Sequence, residues 1–404
     1  MAFTVRATTA PITAPAALTN PRFTTGADDK LGSYVLEIDP TNRAKTIGLV
    51  DPQGRSKLYT STDGMVTGNT LLRDFNTGVA NQSQEVMNCR ALPNRELLVS
   101  LRNPYSLDGG LYRSTGFPAD PTGCTWTRVI TWSNSGNYAN TYGIDFAPAG
   151  HIREGLVVCA EYGPQSTHNV TSVEAGASRV WVSTDYGQTF REVFNLLKTY
   201  GTKSMHMHGA AYDPYSDNII ICFGDGYSGP PAVSGILYSD TWLDNTVTWK
   251  PIIAPQSTAD WQATLIKPMP AGVIIGSDGA PDGVWFMPRD PKGGYVQPRP
   301  VLTNPRRSSI ATQAYQATPT SPVFMIYQNG QAETDYVRVL QVSPRGDEVH
   351  EVYVDTASIA PTWGGGLNVC GPDANGHVYF TAQDARSVRT LTRTTLVPSA
   401  ASAL

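Results

Sequence analysis

The stretch Gly209-Ala210-Ala211-Tyr212-Asp213-Pro214-Tyr215-Ser216-Asp217-Asn218-Ile219-Ile220-Ile221-Cys222 decides the fold. A short apolar segment runs into a proline, a polar turn follows, and a strongly apolar segment leaves it. Both segments are too short for helices, and the second is rich in β-branched residues. They read as two strands joined by a turn. Two further strand-like segments complete the unit, Gly235-Ile236-Leu237-Tyr238-Ser239 and Thr248-Trp249-Lys250-Pro251-Ile252.

Working outward, the unit recurs. Its proline anchors are Pro40, Pro93, Pro148, Pro214, Pro268, Pro319 and Pro372, separated by 53, 55, 66, 54, 51 and 53 residues. The surroundings agree as well as the spacing. Apolar second strands follow as Glu96-Leu97-Leu98-Val99-Ser100, Gly155-Leu156-Val157-Val158-Cys159, Gly272-Val273-Ile274-Ile275 and Val323-Phe324-Met325-Ile326-Tyr327. Third strands align as Gly110-Leu111-Tyr112-Arg113-Ser114 and Val180-Trp181-Val182-Ser183. Four strands per unit at this period predict an all-β fold, a β-propeller. The expected count is seven blades, with six as the fallback because the first and last units are weakest. A sandwich would not repeat at this period, and β-helix coils are shorter.

The expected organisation is an extended N-terminal arm over 1–30, a propeller over 31–398 and a tail over 399–404. Few residues follow Pro372, so the last blade is short of a strand. Phe3 to Thr9 alternate in a strand-like way and are the expected closing strand.

Composition agrees. The 404 residues include 37 glycines and 30 prolines, and only 16% are charged. That mixture disfavours long helices and favours short strands joined by turns. A net charge of −4 gives no electrostatic case for nucleic acid, and no apolar run is long enough for a membrane-spanning helix. The five cysteines are scattered, with no C-x-x-C pair. They read as buried free thiols. Met1 to Asn20 alternate Ala, Thr and Pro, without the charged start and apolar core of a Sec signal peptide. The expected setting is a virion, with the cytoplasm as the alternative.

Within the third unit stands Ser183-Thr184-Asp185-Tyr186-Gly187-Gln188-Thr189-Phe190. It resembles the Asp-box of BNR-repeat propellers, a compact turn between third and fourth strands. Ser183, Asp185, Gly187, Thr189 and Phe190 supply its pattern. The Asp accepts backbone hydrogen bonds, the Gly allows positive φ and the aromatic packs into the blade. Degenerate copies are Asp120-Pro121-Thr122-Gly123, Ser239-Asp240 and Ser61-Thr62-Asp63-Gly64. The resemblance implies a sialidase-like superfamily fold. It does not extend to the sialidase catalytic set. The Arg-Ile-Pro-type motif is absent, Asn20-Pro21-Arg22-Phe23 has the wrong order, and no arginine triad follows. No catalytic residue is assigned.

The repeat phase places ligand-facing candidates on the face formed by starts of first strands and ends of second strands. They are Glu161, His206, His208, Asp225, Trp261, Gln262, Asp278, Gln313, Tyr315 and Trp363. Carboxylates, amides and aromatics together suit a sugar. Equally, such residues plug the axis and satisfy one another. His206-Met207-His208 has strand spacing, so both imidazoles share a face. With Asp225 they could hold a divalent metal. The alternative is one core histidine and one bonded to a loop. No other cofactor is expected. The insertion 162–178 in the third unit reads as a recognition loop.

Three functions follow. The leading one is a non-enzymatic binding or structural propeller, a phage tail or capsid-decorating component that recognises a surface glycan or neighbouring subunits. The others are a glycosidase-like enzyme using axial carboxylates and an intracellular interaction scaffold.

Overall fold

The computed structural model describes residues 23–398 except 26–29, 32–33, 51–54, 66–67, 79–82, 141, 164–177, 202–205, 225–233, 257–260, 278–282, 303–308, 316–322, 330–336, 344–345, 347–348, 356–367, 372 and 384–390. The chain is an all-β propeller. It opens with two short strands, β1 (Phe23–Thr25) and β2 (Lys30–Leu31). The first blade is β3 (Tyr34–Ile38), β4 (Thr46–Leu49), β5 (Lys57–Ser61) and β6 (Thr70–Asp74). The second is β7 (Glu85–Ala91), β8 (Leu97–Arg102), β9 (Gly110–Thr115) and β10 (Thr125–Thr131). The third is β11 (Ile144–Phe146), β12 (Val157–Ala160), β13 (Arg179–Ser183) and β14 (Arg191–Asn195). A short helix, α1 (Leu196–Tyr200), follows it, capped by Asn195 and by Gly201 at φ 71°.

The fourth blade is β15 (His206–Asp213), β16 (Asn218–Gly224), β17 (Ser234–Ser239) and β18 (Lys250–Gln256). The fifth is β19 (Ala263–Met269), β20 (Gly272–Ser277), β21 (Gly283–Pro288) and β22 (Arg299–Leu302). The sixth is β23 (Ser309–Tyr315), β24 (Val323–Asn329), β25 (Val337–Val342) and β26 (Val349–Asp355). These six sheets are each a four-strand antiparallel meander of consecutive strands.

A final sheet comprises β27 (Asn368–Cys370), β28 (Val378–Gln383) and β29 (Leu391–Pro398), and it needs the other end of the chain. Its order is β1-β29-β28-β27, with β2 also on β29. Phe23 pairs with Pro398 and Thr25 with Leu396. The six consecutive blades match the fallback count read from the sequence, and a further sheet is completed by the N-terminal segment. The strand that completes it lies at Phe23–Thr25. The expected Phe3–Thr9 segment is outside the described residues.

First strands line the axis, and blades pack through apolar faces. Ile219, Ile220, Ile221, Cys222 and Phe223 are all wholly buried. Alternate members serve opposite neighbours: Ile219, Ile221 and Phe223 pack towards the third blade, Ile220 and Cys222 towards the fifth. A strand buried on both faces reads as a continuous apolar run, which is what the sequence shows. All five cysteines are free, four are buried and Cys124 is half-buried.

The Asp-box stretch forms its expected turn between β13 and β14. Asp185 Oδ1 accepts from Gln188 N and Thr189 N, both at 2.9 Å, and from the Ser183 hydroxyl at 2.6 Å. Thr189 donates to Oδ2 at 2.6 Å. Gly187 lies at φ 74°, and an added Cβ would meet Leu98 at 3.2 Å. In the first blade Ser61 and Asp63 repeat the core of this pattern, with Met65 N donating to Ser61 Oγ at 3.1 Å. Asp120 caps its own turn through Thr122 N and Gly123 N. In the fourth blade Thr241 N bonds Ser239 Oγ, while Asp240 pairs with Lys250 at 2.6 Å.

One polar clamp ties the fourth blade to the fifth. Asp213, with no side-chain exposure, takes Arg289 Nε at 2.8 Å and Nη2 at 2.7 Å. Tyr295 and Ser216 hydroxyls add bonds at 2.8 Å each, and Tyr215 N adds one at 3.1 Å.

Candidate functional site

Around the axis, side chains of first strands, with Asn140 from the segment before β11, bond the backbone of the next blade in two tiers. In the upper tier Asn368 Nδ2 reaches Val35 O. Asn88 Nδ2 reaches Asn140 O at 2.8 Å, and Asn140 Nδ2 reaches His208 O at 3.2 Å. His208 Nδ1 lies 2.9 Å from Ala263 O. In the lower tier Glu37 Oε2 accepts from Ala91 N at 3.3 Å. Arg90 Nη1 donates to Ile144 O at 3.3 Å, and Asp145 Oδ2 accepts from Tyr212 N at 2.9 Å. These groups stitch neighbouring blades together, since a buried backbone N–H or C=O needs a partner.

Both histidines lie beside the Tyr162 ring, with centroids 4.2 Å away for His206 and 6.2 Å for His208. Met207 pairs with Phe223 and Gly209 with Cys222, so His208 is the extra residue of a β-bulge. The bulge interrupts the period-two alternation of the strand, yet both rings remain beside Tyr162. His206 stacks on Tyr162, centroids 4.2 Å apart, while His208 serves the fifth blade. Their rings are 6.3 Å apart and tilted by 51°. Asp225, Asp278 and Trp363 are outside the described residues, as is most of the insertion at 164–177. Gln313 and Tyr315 lie on β23, with side chains outside the described set. Among the described residues, no cluster of three or more His, Cys, Asp or Glu is placed for a metal.

Glu161 is wholly buried between the second and third blades. Its Oε1 accepts from Ser133 N and Oγ at 2.6 Å each and from Asn137 Nδ2 at 2.8 Å. Its Oε2 has no hydrogen-bond partner. Burial raises its pKa, and the Ser133 and Asn137 bonds only partly oppose this. Trp261, at φ 59°, meets Trp285 edge-on at 4.9 Å. Gln262 takes the Ser277 hydroxyl on its backbone oxygen at 3.2 Å.

A pocket of about 520 Å³ opens at the other end of the axis, on the face that carries the Asp-box turn. Its rim is Pro40, Pro93, Pro148, Pro214 and Pro268, the repeat anchors themselves. Phe146 and Tyr215 supply aromatic surface, Tyr212 being buried in the core behind them, and Glu37, Arg90, Asp145 and Lys267 the charge. The lower tier explains why space exists there. Glu37, Arg90 and Asp145 hold equivalent positions, pairing with Ile47, Leu98 and Val158 of their second strands. The fourth blade has Ala211 at this position and the fifth has Lys267. Ala211 is too short to reach a neighbour.

Sequence reasoning missed this site because it looked at the opposite ends of the strands. The signal was present three residues before the prolines: Glu37, Arg90 and Asp145 carry full charge in otherwise apolar strands.

Burial raises the Glu37 pKa, opposed by Arg90 at 3.5 Å and by the amides of Ile38 and Ala91. Burial lowers that of Lys267, opposed by Asp145 and reinforced by Arg90. Arg90 also lies over Phe146, 5.4 Å from its centroid.

No protein-family model matches the chain, and no curated protein does. Solved structures do. An oligogalacturonate lyase in complex with manganese is 12% identical with a TM-score of 0.52, over 93% of this chain and 96% of that one. Prolyl oligopeptidase B from Galerina marginata, bound to a 35mer hydrolysis and macrocyclization substrate, is 11% identical with a TM-score of 0.51. That match covers 93% of this chain and 51% of the peptidase, so the chain spans about half the peptidase's length. At these identities the likeness is one of fold alone.

Proposed function

We propose that this chain is a binding propeller, related to the Asp-box propellers, whose axial pocket holds one unit of a surface glycan. One observation carries the reading. The pocket joins aromatic walls (Phe146, Tyr215) to charged groups at the mouth of the axis. Aromatic faces suit the apolar faces of a sugar, and polar groups fix its hydroxyls. The competing reading is a glycosidase-like enzyme, and the raised pKa of Glu37 is what favours it. Against it, both Glu37 oxygens already accept backbone amides, from Ile38 at 2.9 Å and Ala91 at 3.3 Å. A general acid needs its proton free for the leaving group.

The setting we propose is a virus particle, with the propeller displayed to a host surface or to neighbouring subunits. Support for that is compositional, from the Ala/Thr/Pro-rich first twenty residues. A glycan array is the direct test of the site. Retention of a defined glycan set, lost with Tyr215→Ala, is expected. A blank array, or binding indifferent to Tyr215, refutes it. Antibodies against the propeller should label intact particles, and failure to do so removes the virion setting.

A further inference from the structure

The lower tier of stitches has a break, and the break is charged. Lys267 occupies the position from which Glu37, Arg90 and Asp145 reach the next blade. The residue is half-buried in the pocket wall, and its ammonium makes no hydrogen bond to any described residue. The carboxylates around it are engaged elsewhere. Glu37 takes the amides of Ile38 and Ala91, and Asp145 takes that of Tyr212. Asp39 takes the amides of Thr41 and Asn42 and the Thr41 hydroxyl. Arg43 and Arg90 add two further positive charges to the same pocket, alongside the carboxylates of Glu37, Asp39 and Asp145.

A half-buried ammonium without an acceptor from the protein is left to water or to a ligand that enters the pocket. Resting on the glycan reading above, we propose that Lys267 receives an oxyanion carried by the bound sugar, a carboxylate or a phosphate ester. A compact ammonium with three donors suits either group.

The test uses the full chain with three probes, D-glucuronate, glucose 6-phosphate and glucose, followed by ligand-observed NMR titration. At least one anionic probe is expected to bind about tenfold or more tighter than glucose, the scale of one charge-assisted contact. Lys267→Gln should abolish that preference, and Lys267→Arg should largely keep it. Preference for glucuronate alone identifies a carboxylate, and preference for glucose 6-phosphate alone a phosphate. Equal binding of glucose and the anions overturns the proposal. So does binding of none of them, or a preference that survives Lys267→Gln. The two readings fail separately. Tyr215-dependent retention of neutral glycans alone on the array keeps the glycan site and removes the anion. A blank array with Lys267-dependent anion binding does the reverse.

Discussion

Replacing Asp213 by Ala removes the clamp between the fourth and fifth blades while leaving Arg289 in place. Asp213 is wholly buried and accepts five hydrogen bonds, two of them from the Arg289 guanidinium at 2.7 and 2.8 Å. Stranding one partner of a buried ion pair costs about 3–5 kcal/mol. Two features soften the loss. Arg289 retains some exposure, 15% for its side chain, and still reaches the carbonyls of Met269, Pro270 and Gly272 at 2.8, 3.0 and 3.2 Å. The expected cost of Asp213→Ala is therefore about 3 kcal/mol, the lower end of that range. Asp213→Asn keeps an acceptor but loses the charge, and should cost roughly half as much. Arg289→Met in the Asp213→Ala background should recover part of the loss, with a coupling of about 1–3 kcal/mol in a double-mutant cycle. Urea unfolding followed by tryptophan fluorescence and circular dichroism supplies the four free energies, provided the two probes coincide. A cost below about 1 kcal/mol for Asp213→Ala, or a coupling below about 0.5 kcal/mol, refutes the clamp.

Four hydrogen bonds hold the Asp185 turn, so Asp185→Ala should cost about 1–2 kcal/mol in the same urea assay. Burial opposes ionisation of Asp185, but the bonds from Ser183, Thr189 and Gln188 outweigh it and hold its pKa low. Its contribution is present above the unfolded value, near ~4, and fades as pH falls through the lower folded value, so wild-type and Asp185→Ala melting curves should converge in acid. Glu161 has the opposite sign, because its folded pKa is raised by burial. Its proton-linked stability is complete below the unfolded value and is lost as pH rises through the folded one. Glu161→Gln should therefore flatten the fall in melting temperature as pH rises above the ordinary carboxylate range, and parallel curves would contradict this. A thiol reagent at neutral pH should find no fast-reacting cysteine, since burial pushes the half-buried Cys124 up to about 11 and the other four are buried. All five should titrate in denaturant. Deleting residues 1–26 removes β1 from the edge of β29 and should lower the melting temperature.

The blades were legible because each carries its own punctuation. Proline and a polar turn stand between strands whose apolar residues, such as Leu97 to Val99 and Ile219 to Phe223, must fill both faces of a sheet. The Asp-box turn was legible for the same reason, its bonds lying within seven residues. What was not legible depends on one-residue shifts and on other blades. The bulge at His208 leaves no mark in a sequence that alternates as a strand should. Glu161 stood at the expected strand end, but its partners Ser133 and Asn137 come from the preceding blade's outer loop. The pocket arises where Ala211 interrupts a tier of long polar side chains, and only alignment by register makes one alanine conspicuous.

The pairing of β1 with β29 also sets an order of events. During synthesis β1 emerges long before its partner β29, so the ring cannot be fastened until every blade between them has been made. Until then β1 is an unpaired edge with nothing of its own chain to hold. A nascent or partly opened ring can therefore accept β1 from a second molecule through the same hydrogen bonds. Crowding of newly made chains should favour strand-exchanged dimers that separate only by unfolding.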